Sequence, residues 1–76
     1  MLKLPSISGK QAIMCFEKLG YKIIRQKGSH ARMHHLSYKT KKPITIPLHK
    51  TLGKGLLRKL LRDIEISTED FLRLCT

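Results

Sequence analysis

The spacing of apolar residues predicts six elements along the chain, in the order helix, three strands, helix, helix. The first helix follows a capping box at residues 8–11 and ends before Gly20, a residue suited to a left-handed helix terminus. Its apolar stripe recurs at helical spacing and consists of Ala12, Ile13, Phe16 and Leu19. We expect this stripe to form part of a hydrophobic core.

Three segments after this helix have the β-branched, aromatic or alternating composition of strands. They cover residues 21–26, about 29–36 and 43–47. Gly28 tolerates positive φ without steric cost, so we expect the first two segments to form a hairpin around it. Ile44 and Ile46 should point inward from the third strand, and Ile23 or Ile24 should join the same core.

The second predicted strand has two faces of different chemistry. With a period of two residues, Ala31 and Met33 share one face. The opposite face carries His30, Arg32 and His34. The first face suits a hydrophobic core, whereas the second places histidines beside cations on a surface that we expect to be open.

Leucines dominate the last third of the chain. Their stripe at helical spacing consists of Leu56, Leu57, Leu60, Leu61 and Ile64. Lys54 and Arg58 lie along another side of this helix, and residues 67–70 cap a short terminal helix that contains Phe71. We therefore predict one α+β domain over residues 1–76, with a three-stranded antiparallel sheet and helices on one face of it.

The chain is strongly basic, with a formal net charge of +11. Fifteen of its sixteen Lys and Arg residues precede Asp63, and Glu17 is the only acidic residue in that region. The positive electrostatic field of this region favours a polyanionic partner: nucleic acid first, an anionic membrane surface second, an acidic protein third. No apolar run approaches the roughly 18 residues of a membrane span, and residues 1–5 lack the apolar region of a signal peptide. We expect a cytoplasmic protein with no membrane partner.

The two cysteines, Cys15 and Cys75, are sixty residues apart and form no Cys-x-x-Cys motif. The spacing therefore favours neither a disulfide framework nor a zinc cluster. We predict that both are reduced and serve as small apolar side chains.

The chain offers few ligands for a metal ion near the hairpin. Its acidic residues are Glu17 in the first helix and four residues from Asp63 onward, far in sequence from the basic strands. His30 and His34, four residues apart on one strand, would be separated by about 13 Å. We therefore predict no metal site and no cofactor, so that any phosphodiester cleavage would depend on histidine and on fixed cations.

His30 is the candidate catalytic residue, because imidazole takes and gives protons near neutral pH. Lys27 and Arg32 are candidates to hold a phosphate, and Ser29 could position it through its hydroxyl or backbone N–H. Metal-free cleavage favours RNA, whose 2′-hydroxyl is an internal nucleophile that DNA lacks. From residues alone, a surface histidine without catalytic function is the more common outcome for such a position.

A second basic surface is predicted at the start of the leucine-rich helix. Lys54 and Arg58 could bind phosphate there together with free backbone N–H groups, although many basic helices are simply solvated. Tyr21 and Tyr38 could stack on bases, and Tyr21 is better explained as core.

Taken together, these residues resemble the HicA family, the small mRNA-interferase toxins of toxin–antitoxin pairs. The Gly-Ser-His element at residues 28–30 and the Pro-x-His element at residues 47–49 carry the resemblance in a short basic chain. The matching stretches are residues 8–10, 19–21, 26–30, 44–49, 55–61 and 67–71. His34 and His35 occupy positions where relatives carry varied residues, and the resemblance assigns them no role.

The resemblance implies a double-stranded-RNA-binding-like α-β-β-β-α fold and ribosome-independent cleavage of mRNA, with His30 as the catalytic residue. It also implies a cognate HicB-type antitoxin that covers the active site. A non-catalytic module that recognises RNA through its basic open face is the alternative. A DNA-binding accessory protein is a weaker alternative, because the chain lacks a convincing helix-turn-helix pair.

Overall fold

The order of secondary-structure elements is the predicted one, α-β-β-β-α-α. A computed structural model describes residues 4–38 and 40–75, so residues 1–3 of the N-terminal stretch considered above lie outside the described residues. The elements are α1 (Gly9–Lys18), β1 (Tyr21–Lys27), β2 (His30–His35), β3 (Ile44–Pro47), α2 (Lys54–Asp63) and α3 (Thr68–Cys75). The three strands form one antiparallel sheet in the order β1-β2-β3. The α+β prediction, with its open three-stranded sheet, is confirmed.

Both ends of α1 follow the predicted chemistry. The Gln11 N–H donates to Ser8 Oγ at 3.1 Å, and the Ser8 N–H donates to Gln11 Oε1 at 2.9 Å, which completes the capping box. Gly20, one residue beyond the C-cap, has a φ of +99°. The chain therefore leaves the helix and enters β1 with no intervening loop.

The hairpin between β1 and β2 closes with a two-residue turn at Gly28 and Ser29. Lys27 and His30 are the last cross-strand pair before the turn. Gly28 has a φ of +58°, and Ser29 is not among the residues of positive φ, which is the pattern of a type II′ turn. This turn sets the start of β2 at His30, as predicted.

A β-bulge at Ile24 changes the face of the sheet on which the side chains of the second half of β1 lie. Ile23 pairs with Met33, but the next pair along the ladder joins Arg25 to Arg32. Directly opposed residues of two paired strands share a face of the sheet. The extra residue therefore turns Arg25 and Lys27 to the face of Arg32, whereas strict alternation from Tyr21 would have placed them on the helix side.

The core lies between one face of the sheet and the helices. Ala31, Met33, Ile44 and Ile46 are buried as predicted. The Tyr21 ring is also buried, its hydroxyl donates to the Lys42 carbonyl oxygen at 2.9 Å, and desolvation by burial raises the pKa of that hydroxyl.

The prediction that Ile23 or Ile24 joins this core is wrong. Ile23 is 40% exposed and Ile24 is 52% exposed. Ile23 faces the helix side, where it borders a cavity beside α1, and Ile24 is the bulged residue. Both lie on β1, an edge strand of the sheet.

The last two helices close the core from the same side. Leu57, Leu60 and Leu61 of α2 are buried in the cluster that holds Ala31 and Met33. In α3, the Asp70 N–H donates to Ser67 Oγ at 3.0 Å, and the ring of Phe71 lies 5.4 Å from that of Phe16. Among the described residues, no helix is both long enough and apolar enough to cross a membrane.

The prediction of two reduced cysteines is wrong, because Cys15 and Cys75 form a disulfide. The bond joins α1 to α3, where the two Cα atoms lie 5.3 Å apart. The Lys18 ammonium reinforces this contact by donating to the Leu74 carbonyl oxygen at 2.8 Å. The sequence between the two cysteines gave no signal that the two helices pack side by side.

Candidate functional site

The face of the sheet that is turned away from the helices carries almost only cations and histidines. We call it the open face. Its members are Lys22, Arg25 and Lys27 of β1, His30, Arg32 and His34 of β2, and Thr45 and Pro47 of β3. The cross-strand pairs place them together, since Lys22 faces His34, Arg25 faces Arg32, and Lys27 faces His30. This arrangement confirms the predicted alternation of β2, with Ala31 and Met33 on the opposite, buried face.

His30 occupies the first position of the central strand. Its backbone is held between Lys27 on β1 and Pro47 on β3, while the residue itself is exposed. The pairing with β3 continues into the turn, because the Leu48 N–H donates to the Ser29 carbonyl oxygen at 2.6 Å. A rigid backbone thus presents an accessible imidazole at one end of the open face.

The cations of the open face have no carboxylate partner among the described residues. The Arg32 guanidinium donates to Thr45 Oγ1 at 2.9 Å, which fixes its direction without neutralising it. The ion pairs recorded for residues 4–38 and 40–75 are Lys59–Asp63, Arg73–Glu69 and Arg73–Asp70, all in α2 and α3. Unopposed like charges on one face attract a polyanion and repel one another in its absence.

The predicted phosphate-binding residues fall into two groups. Lys27, Ser29 and Arg32 lie in or beside the hairpin that presents His30. Lys54 and Arg58 are exposed on α2, whose apolar side packs on the buried face of the sheet. The structure therefore does not bring this second group together with His30, and a single strand contacting both would pass around an edge of the sheet.

Sequence reasoning missed Lys22 and Arg25 as members of the site. Arg25 faces Arg32 only because of the bulge at Ile24. A bulge is set by the pairing of two strands, so strict alternation along β1 assigns Arg25 to the wrong face. For Arg25 the available signal was composition, since the outer half of β1 alternates cations with glutamine and holds no apolar residue after Ile24. Lys22 precedes the bulge, and alternation from Tyr21 would have placed it on the open face.

The other histidines are placed so that none shares the position of His30. His34 lies on the open face, four residues along the strand, at about 13 Å. His49 lies beyond the end of β3 and borders an open groove of about 610 Å³ between α1, β1 and residues 48–50 on the helix side. His30 is therefore the one histidine among the described residues at the hairpin end of the open face.

His35 has a structural position. Its Nδ1 accepts the N–H groups of Ser37 at 3.2 Å and Tyr38 at 3.0 Å, so the hydrogen is assigned to Nε2, which lies 2.9 Å from the Leu19 carbonyl oxygen. The ring also packs edge-on against Tyr21, with centroids 5.2 Å apart. These partners occupy both ring nitrogens and leave His35 without a free group for proton transfer.

The described residues contain no group of three or more His, Cys, Asp or Glu side chains that could hold a metal ion. A family model described as the HicA toxin of bacterial toxin–antitoxin systems matches residues 9–66. No curated protein and no solved structure matches the chain significantly. The matched region runs from the first residue of α1 to just before α3 and includes the complete sheet.

Proposed function

The chain belongs to the HicA family of bacterial toxin–antitoxin toxins, and we propose that it acts as a metal-independent, ribosome-independent endoribonuclease that cleaves mRNA. The observation that carries the proposal is the position of His30. It is an exposed imidazole on a rigid strand, opposite Lys27 and on the face that also carries Arg25 and Arg32. This combination provides one group for proton transfer and several for phosphate charge.

In the proposed reaction the RNA supplies its own nucleophile. His30 removes the proton of a 2′-hydroxyl, the 2′-oxygen attacks the adjacent phosphorus, and the bond from phosphorus to the 5′-oxygen breaks. The leaving 5′-oxygen takes up a proton. The products are a 2′,3′-cyclic phosphate on one fragment and a 5′-hydroxyl on the other, and no water or metal-bound hydroxide is consumed in this step.

The cations act on the charge of the phosphate. Negative charge grows on the non-bridging oxygens as phosphorus becomes five-coordinate, so a fixed positive group stabilises the transition state more than the ground state. Lys27 is nearest to His30 in the strand register, and the Arg32 side chain is already directed by Thr45. We assign these two residues to the reacting phosphate, with Ser29 at the turn as a further hydrogen-bond donor.

The family also implies an antitoxin partner. We propose that this partner is a HicB-type protein that presents acidic or apolar groups to the open face. Such a partner would relieve the repulsion among Lys22, Arg25, Lys27 and Arg32 and would exclude RNA from His30.

The first prediction tests the nucleophile. Purified protein should cleave a single-stranded RNA in the presence of EDTA, and it should leave the all-deoxy strand of the same sequence intact. The 2′-hydroxyl is the attacking group, so its removal stops the reaction although the phosphates remain. Gel analysis of the fragments should show cyclic phosphate and 5′-hydroxyl ends.

Cleavage of the all-deoxy strand would refute the internal-nucleophile mechanism, and loss of RNA cleavage in EDTA alone would refute metal independence. Binding of RNA without any cleavage would favour the alternative, a non-catalytic RNA-binding module. The 2′-O-methyl strand is the matched control, because it keeps the 2′-oxygen but has no 2′-hydroxyl proton to lose. It should therefore resist cleavage as the all-deoxy strand does.

The second prediction separates the two basic surfaces by the salt dependence of RNA binding. Each neutralised phosphate of a single strand contributes a slope of about −0.7 in log K against log salt concentration. In a His30→Ala background, which keeps the RNA intact, Arg25→Gln with Lys27→Gln should flatten the slope by about 1.4. Fluorescence anisotropy of a labelled RNA over a range of salt concentrations measures this slope.

Lys54→Gln with Arg58→Gln is the matched pair on α2, with the same loss of charge. We expect it to flatten the slope as well, which would extend the RNA-binding surface to α2. An unchanged slope would show that this helix is a solvated face and that binding is confined to the open face.

A further inference from the structure

Five aromatic rings form a continuous series from the core to the surface, at the end of the sheet opposite to His30. In order they are Phe71, Phe16, Tyr21, His35 and Tyr38, with neighbouring centroids 5.4, 6.3, 5.2 and 5.1 Å apart. The first three are buried, whereas Tyr38 is 63% exposed. The series therefore ends in a ring with one side against His35 and much of its surface in solvent.

Hydrogen bonds hold Tyr38 in this position. Its N–H donates to His35 Nδ1 at 3.0 Å, and its carbonyl oxygen accepts the Lys41 N–H at 3.1 Å. His35 is itself fixed by its contact with the Leu19 carbonyl oxygen at 2.9 Å. These bonds fix the backbone at Tyr38, and the contact with His35 supports one side of the ring, so less ordering is needed when a ligand binds.

A cavity of about 410 Å³ lies next to His35, the residue on which the Tyr38 ring packs. It is bordered by Ile24, His34, His35, Leu36, Lys41 and Pro43. His34 belongs to the open face, and the next residue, His35, lies on the opposite face, where it pairs with Tyr21 and contacts Tyr38. The volume falls within the range of small-molecule sites.

We propose that Tyr38 is a stacking platform for an unpaired base of the RNA substrate. The inference rests on the proposed function, because it takes RNA as the ligand. An aromatic ring beside a cationic face is the combination that binds single strands, since the cations hold the phosphates and the ring stacks on a base. Along β2, His35 lies about 16 Å from His30, so the stacked base belongs to a nucleotide away from the cleaved phosphate.

The role of this contact is to position the strand. A base stacked on Tyr38 fixes one end of the RNA on the open face, with Lys22 and Arg25 between it and the hairpin. Tyr38 is therefore a positioning residue that makes no contact with the reacting atoms.

The third prediction tests the platform by RNA binding in the His30→Ala background. Tyr38→Ala should weaken the affinity for a labelled single-stranded RNA by about 5- to 150-fold, the range of one base stacked on one aromatic residue. Tyr38→Phe, which keeps the ring, should bind nearly as well as the parent. The slope against salt should be the same for all three proteins, because stacking neutralises no phosphate.

Met14→Ala is the matched control, since Met14 is 57% exposed on α1 and lies outside the ring series. It should leave the affinity unchanged. If Tyr38→Ala lowers the melting temperature, Tyr38→Leu keeps apolar bulk without a π face and should still bind as weakly as the alanine variant.

Equal affinity of Tyr38→Ala and the parent, or a flattened salt slope for Tyr38→Ala, would overturn the proposal. So would a Phe variant as weak as the alanine variant, because the hydroxyl would then be the contact. If the wild-type protein binds RNA normally but does not cleave it, the nuclease function is refuted and the platform remains supported. If the wild-type protein does not bind RNA at all, the nuclease function and the platform are both refuted.

Discussion

Replacing His30 with alanine is expected to lower the rate of RNA cleavage by about 10²- to 10⁴-fold, the usual contribution of a general acid–base group. The fold should persist, since His30 is exposed and its cross-strand partners Lys27 and Pro47 pair through the backbone. We expect the free energy of unfolding to change by less than about 1 kcal/mol. Single-turnover cleavage and urea unfolding of the same preparation measure the two quantities.

His34→Ala is the matched control for this prediction. It removes the same side chain from the same strand and the same face, about 13 Å away. Cleavage by this variant should stay within a few-fold of wild type. If the folded His30→Ala protein cleaves RNA at the wild-type rate, His30 is not the catalytic group, and His34 and His49 become the candidates.

The inactive variant also allows the antitoxin proposal to be examined without degradation of the RNA. His30→Ala should still bind both RNA and the antitoxin, because the cations of the open face remain. If the antitoxin covers that face, it should displace bound RNA in a competition measurement. Simultaneous binding of RNA and antitoxin would count against masking and in favour of inhibition at a distance.

The parts of the fold that could be predicted from the sequence are those set by local chemistry. The capping box at Ser8 and Gln11, the turn at Gly28 and the alternation of Ala31 with His30 each depend on neighbours within a few residues. For the same reason the open face and the position of His30 on it were predictable. No contact across the sheet was needed to infer them.

The parts that could not be predicted depend on pairing between distant segments. The bulge at Ile24 arises from the register of β1 against β2 and decides that Arg25 and Lys27 join His30. The Cys15–Cys75 disulfide depends on how α3 packs on α1. Spacing along one segment does not determine either, so the missed Arg25 and the wrong cysteine prediction have the same physical cause.

The structural role of His35 was hidden in the same way, and it leaves no room for a side chain at Gly20. A Cβ atom at Gly20 would lie 2.7 Å from His35 Nε2 and 2.9 Å from His35 Cε1. The ring has no free direction in which to move, since Leu19, Ser37 and Tyr38 hold its two nitrogens. The backbone φ of +99° also disfavours any side chain at this position.

Gly20→Ala is therefore expected to lower the free energy of unfolding by about 2 to 5 kcal/mol. Of this, about 1–2 kcal/mol comes from the positive φ, and about 1–3 kcal/mol comes from forcing a methyl group against a ring that is fixed in place. Urea unfolding followed by circular dichroism measures the loss. RNA affinity should fall as well in whatever fraction stays folded, because displacing His35 removes the support of Tyr38.

Gly28→Ala is the matched control, because Gly28 also has positive φ, at +58°, but a Cβ atom there would meet no atom within 4 Å. It should cost only the backbone component, about 1–2 kcal/mol. The difference between the two variants in the free energy of unfolding measures the cost of the collision with His35. If Gly20→Ala is no less stable than Gly28→Ala, the His35 ring is not packed against Gly20, and the fixed support inferred for Tyr38 fails with it.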